Sequence, residues 1–111
     1  MSVYRLYSDD DGESRITQFT EEELANIKIK GTMSFSVQKR EPGHFMPQHP
    51  AASRRWHIHV EGRMTIGLSD GTSNTFHPCY VRLVEDTDGK GHETTLPDGD
   101  TRALMISIDE E

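Results

Sequence analysis

Apolar and polar residues alternate along most of this chain, so that one face of each segment is apolar and the other polar. In TMSFSVQK (32–39), Met33, Phe35 and Val37 share one side, as in a half-buried β-strand. VYRLYS (3–8), RITQF (15–19), RRWHIHV (54–60), RMTIGLS (63–69), YVRLVE (80–85) and RALMISI (102–108) read the same way. Turn signals separate them: the DDDGES cluster, Glu61-Gly62, Asp70-Gly71, His77-Pro78, Asp88-Gly89 and Pro97-Asp98-Gly99. TEEEL (20–24) has the Thr20 to Glu23 spacing of a capping box but no apolar stripe, which predicts one helical turn. REPGHFMPQHP (40–50), with three prolines, predicts a loop or an irregular edge. Many short strands with glycine-rich turns and little helix predict a single all-β domain over residues 1–111, a barrel or sandwich.

Composition fits a thin-walled barrel, since only 32% of the 111 residues are hydrophobic. Net charge is −7, from 19 acidic and 12 basic residues, which argues against a nucleic-acid partner. No run approaches a membrane span, and MSVYRLYSDDDGES has neither the basic nor the apolar region of a leader. With a lone cysteine, Cys79, a reducing, cytoplasmic setting is expected. Cys79 itself reads as a small buried residue rather than a nucleophile.

The candidate chemistry is concentrated in RRWHIHVEG. On a strand, Arg55, His57 and His59 share one face, while Arg54, Trp56, Ile58 and Val60 take the other. The simplest account of the two histidines is a wet sheet face. If the sheet closes, they point inward and need partners: a metal, a carboxylate or a ligand. Trp56 would then pack outward, against a second copy in a homodimer or under another layer of the same chain. The segment EDTDGKGHETT (85–95) faintly resembles a calcium loop, but Pro97 stands where the bidentate glutamate belongs. It reads as a solvated hairpin. Dinucleotide, phosphate-loop, C-x-x-C and G-x-S-x-G motifs are absent.

With these residues in view, the chain resembles small single-domain cupins. Gly43, His49, Ala51, Arg55 and Gly62 fit the spacing of the first cupin motif, G-x5-H-x-H-x3,4-E-x6-G, without an indel. Pro78-Cys79-Tyr80 occupies the Pro-Gly-Asp turn of the second motif, and His92 ends the loop after it. PGHFMPQHPAASRR and LVEDTDGKGHET resemble short cupins carrying an EDTxGKGH-type segment. The resemblance implies a jelly-roll β-barrel with its site at the mouth. It also implies His49 and His92 at metal-ligand positions, but Ala51 replaces the second histidine and Arg55 the glutamate. A guanidinium has no lone pair for a cation.

Three functions follow. The first is a small-molecule enzyme of proton-transfer type (lyase, isomerase or cyclase), without a cofactor. In it His57 or His59 is the base, Arg55 the electrostatic partner, and His49 and His92 orient or protonate an anionic or carbonyl-containing substrate. The second is an oxygenase or metal-assisted lyase holding zinc, copper, nickel or iron on a relocated set drawn from His57, His59, His92 and His49. The third is a non-catalytic cup for a small ligand.

Overall fold

The computed structural model describes residues 2–41, 45–97 and 100–110. In chain order these form β1 (Val3–Ser8), β2 (Ser14–Gln18), α1 (Glu21–Asn26), β3 (Gly31–Arg40), β4 (Phe45–His49), β5 (Arg55–Glu61), β6 (Met64–Gly67), β7 (Ser73–Phe76), β8 (Val81–Val84), β9 (His92–Thr95) and β10 (Thr101–Glu110). The strands build two sheets, in the orders β2-β1-β8-β5-β10-β3 and β4-β9-β6-β7. All pairings are antiparallel except β1 with β8. This is the cupin-type jelly-roll barrel, a double-stranded β-helix.

Alternation sets the faces. Leu6 and Val84 from the larger sheet meet Met64, Ile66 and Phe76 from the smaller one, with Ala51 and Leu96 closing the core. Tyr4 packs edge-on against Phe76, 5.4 Å between ring centroids, and stacks on Tyr80 at 5.7 Å. The helix is as short as its sequence predicts. Thr20 accepts from the Glu23 backbone and Glu23 accepts from the Thr20 backbone, a complete capping box, but the helix buries no residue.

Two strands differ from the sequence expectation. SNTF (73–76) and HETT (92–95) are short and polar, with no apolar alternation, yet both pair in the smaller sheet. Neighbouring strands, not their own pattern, order them. The proline-rich stretch holds a short edge strand, β4, whose register shifts between Met46 and His49. Gly43, the first residue of the motif, and the Asp98-Gly99 part of one predicted turn lie outside the described residues.

The GKGH segment is a packing device rather than a solvated hairpin. Gly89 and Gly91 have φ of 72° and 75°. A Cβ on Gly89 would lie 2.4 Å from the Gly12 carbonyl oxygen, and one on Gly91 would lie 2.0 Å from the carbonyl carbon of His49. Lys90 N donates to Gly12 O at 2.8 Å, and its side chain pairs with Glu13. Gly91→Ala is therefore expected to cost roughly 3 kcal/mol, combining backbone strain and overlap. Gly71→Ala, at φ 87° but with nothing within 4 Å, carries the backbone strain alone. It should cost only about 1 kcal/mol. Equal losses in urea melts would sink the packing account.

Cys79 corrects another expectation. It is exposed, and at φ 75° it holds the left-handed conformation that suits the glycine of the motif's Pro-Gly-Asp turn. Its N–H donates to His59 O at 2.8 Å, so the turn docks on β5.

On the outer side of the larger sheet, Trp56, Ile58, Leu104 and Ile106 are half-exposed. At its edge Phe35 and Val37 are 68% and 70% exposed. Part of this face is covered within the chain: Leu83, opposite Trp56, is buried and lines the cleft beside α1 with Phe19 and Ile27, while β1 is itself a member of the same sheet.

Candidate active site

The inward face of β5 presents Arg55, His57 and His59, as the alternation predicts. Both histidines are 3% exposed. Register then adds a residue that sequence reading misses: His57 stands opposite Arg82 of β8, which points inward between Val81 and Leu83. Arg82 is 2% exposed.

His57 is gripped by two cations. Arg55 Nε donates to its Nε2 at 2.9 Å, and Arg82 Nη2 lies 3.1 Å from its Nδ1. A neutral imidazole has one acceptor nitrogen, so one of these contacts sets N–H against N–H. Burial first, then the charges of Arg82 and Arg55, hold His57 well below the usual histidine range. Burial and Arg82 likewise push His59 down to about 3. His59 stacks on Phe76 at 5.4 Å and its Nε2 is buried without a hydrogen-bond partner. Neither histidine is poised to exchange a proton near neutral pH.

His92 differs. It is buried at the start of β9, and its Nδ1 is 2.5 Å from Asp86 Oδ2, which also accepts from Ser14 Oγ at 2.7 Å. The Asp86 backbone carbonyl accepts from Ala51 N at 2.9 Å, fixing the carboxylate-bearing loop. A carboxylate on Nδ1 sets the tautomer with its proton there and leaves Nε2 as the basic nitrogen. His49 lies beside it, 5.7 Å between ring centroids, with Nδ1 2.7 Å from the Pro47 carbonyl. Asp86 was legible in sequence only as part of the discarded calcium-like loop.

Arg40, Arg55 and Arg82 line one narrow pocket with His49, His57 and His92, whereas His59 is outside the lining. The free space is about 20 Å³, close to the room of a single water. A larger cleft of about 330 Å³ lies beside α1 on the outer side of the sheet. There Glu85 bridges Arg5 at 2.5 Å and Arg54 at 2.7 Å, and with Glu23 also in the lining the cleft's two acids balance its two arginines.

The cupin fold implies a metal, and the residues present do not fit one. Among the described residues no three His, Cys, Asp or Glu side chains converge as a ligand set. Both nitrogens of His57 face guanidinium groups, His59 does not line the pocket, and Arg55 stands in the glutamate position.

The fold and site together define a cupin-type β-barrel with a cationic, histidine-lined mouth. No protein-family model and no curated protein matches the chain. Solved cupin-family structures match its fold. An RmlC-like cupin with a double-stranded β-helix fold from Methanocaldococcus jannaschii gives a TM-score of 0.58 at 14% identity, over 75% of each chain. The polyketide cyclase RemF from Streptomyces resistomycificus gives 0.58 at 20% identity, over 71% of this chain and 56% of that one. The DMSP lyase DddQ from Ruegeria pomeroyi DSS-3 gives 0.58 at 15% identity, over 72% of this chain and 40% of that one. No helix among the described residues is long and apolar enough to cross a membrane.

Proposed function

We propose that this chain is a small-molecule enzyme of non-redox, proton-transfer type, a lyase, isomerase or cyclase. One observation carries the proposal: His92, oriented by buried Asp86, faces the same narrow pocket as Arg55 and Arg82. A base needs a lone pair aimed at substrate and a partner that fixes the ring; His92 has both. Deprotonation next to a carbonyl develops negative charge on oxygen, and a preformed guanidinium stabilises it without reorganising. The base is thus assigned to His92 rather than to His57 or His59, which burial and the neighbouring arginines make too weakly basic to take a proton near neutral pH. The fold shared with a polyketide cyclase and a DMSP lyase supports the lyase or cyclase class.

The test is hydrogen exchange in D2O, followed by NMR, on a panel of small carbonyl compounds with an acidic C–H. The parent protein is expected to accelerate exchange on at least one of them, with EDTA present, and His92→Asn to lose about 10²- to 10⁴-fold. Exchange that survives in His92→Asn, or that chelation abolishes, would overturn the proposal.

A further inference from the structure

We infer that the pocket is a carboxylate site, in which Arg82, with Arg55 and Arg40, receives the charged head of a small organic acid. The pocket lining carries three arginines and no carboxylate. Asp86 offsets Arg55 and Arg82 from a distance, and it is already committed to His92 and Ser14. A buried guanidinium has to be paired or its desolvation is uncompensated. Arg82 is 2% exposed, and its Nε and Nη1 are buried without hydrogen-bond partners. Among the described residues its remaining Nη2 reaches only the neutral ring of His57, at 3.1 Å, and the sulfur of Met64, at 3.7 Å, and the guanidinium lies 5.2 Å over the Phe76 ring, none of which supplies a negative charge. Burial, reinforced by Arg55, pulls Arg82 down to about 9, the mark of a cation short of counter-charge.

An anion supplies what is missing. Arginine presents donors in a planar fork that matches the two oxygens of a carboxylate. The free space, about 20 Å³, is that of one water, so an anion enters only as the lining gives way, and a flat carboxylate needs less of that opening than tetrahedral phosphate or sulfate. Gln38 and Thr94 in the same lining offer neutral hydrogen bonds to the rest of the acid. This inference rests on the proposed function for one point, that the bound acid lies beside His92 as substrate.

Binding is measured by titration calorimetry with acetate, pyruvate and malonate, beside acetamide, malonamide and inorganic phosphate. The carboxylates are expected to bind and the amides and phosphate to bind at least ~30-fold more weakly. Arg82→Met should lose carboxylate affinity by a similar factor while keeping its fold, checked by circular dichroism. If that variant does not fold, Arg55→Gln, at a half-buried position, is expected to show the same loss. Amides or phosphate binding as well as carboxylates, or either folded variant keeping full affinity, would overturn the inference. Failure here with His92-dependent exchange intact on uncharged carbonyl compounds leaves the proposed function standing. Carboxylate binding with no exchange on any compound refutes the catalytic proposal alone.

Discussion

The protein is expected to lose stability steadily as pH falls from 6.5 to 4.5. His57 and His59 are both held below the ordinary histidine value of 6.5, His59 to about 3, chiefly by burial and then by Arg82. Below 6.5 the unfolded chain takes up protons that the native state refuses, so acid favours unfolding. His59 removes about 1.4 kcal/mol per pH unit in this window. By pH 4.5 it alone removes roughly 2.5 kcal/mol, a large share of the stability of many domains of this size, and His57 acts in the same direction. For His59 the loss continues until pH falls through about 3. Urea melts at pH 7.5, 6.5, 5.5 and 4.5 measure it directly. Replacing His59 with phenylalanine, which suits a ring stacked on Phe76, should flatten the slope by about 1.4 kcal/mol per pH unit. A stability that is level from pH 7.5 to pH 5 would show that these imidazoles are neither dry nor crowded by cations.

The second large effect concerns Asp86→Asn. Asp86 touches no substrate; it is a positioning residue that acts through His92. An asparagine amide can donate to Nδ1 and so favour the opposite tautomer, with the proton moved to Nε2 and the basic nitrogen turned away from the pocket. Exchange activity is expected to fall by about 10³-fold near neutral pH. Nitrogen-15 NMR of His92 provides the readout that a merely structural role would not move: the proton should sit on Nδ1 in the parent and on Nε2 in the variant. Asp86→Asn also weakens the Ser14 contact and leaves Arg82 and Arg55 without their nearby counter-charge, so some destabilisation is expected beside it. An unchanged tautomer, or full activity in a folded Asp86→Asn protein, would remove Asp86 from the mechanism.

What could be read in the sequence was what depends on local parity. The inward direction of His57 and His59 follows from their alternation with Trp56 and Ile58, and the strands from 3–8 to 102–108 follow from the same rule. The capping box at Thr20 was legible because its partners are three residues apart. The mostly polar strands β7 and β9 were not, because short segments without apolar alternation are ordered by what lies beside them. Arg82 and Asp86 were missed for a related reason. Arg82 matters through a cross-strand register with His57, and Asp86 through a loop folded back on Ser14 and Ala51. Neither relation appears within a window of neighbouring residues. His92 was visible through the family motif, but only its buried carboxylate partner distinguishes it from the other imidazoles.

The strand order has a further consequence, for biosynthesis. β10 lies between β5 and β3, and β1 pairs with β8 near the other edge of the same sheet. A nascent chain that has emerged only as far as residue 100 therefore holds β3 and β5 without the strand that joins them. The backbone edges of β3 and β5 stay open to wrong partners until that tenth strand inserts. Folding of this barrel is expected to be slow, to wait for translation of residues 101–110, and to draw on chaperones in the interval.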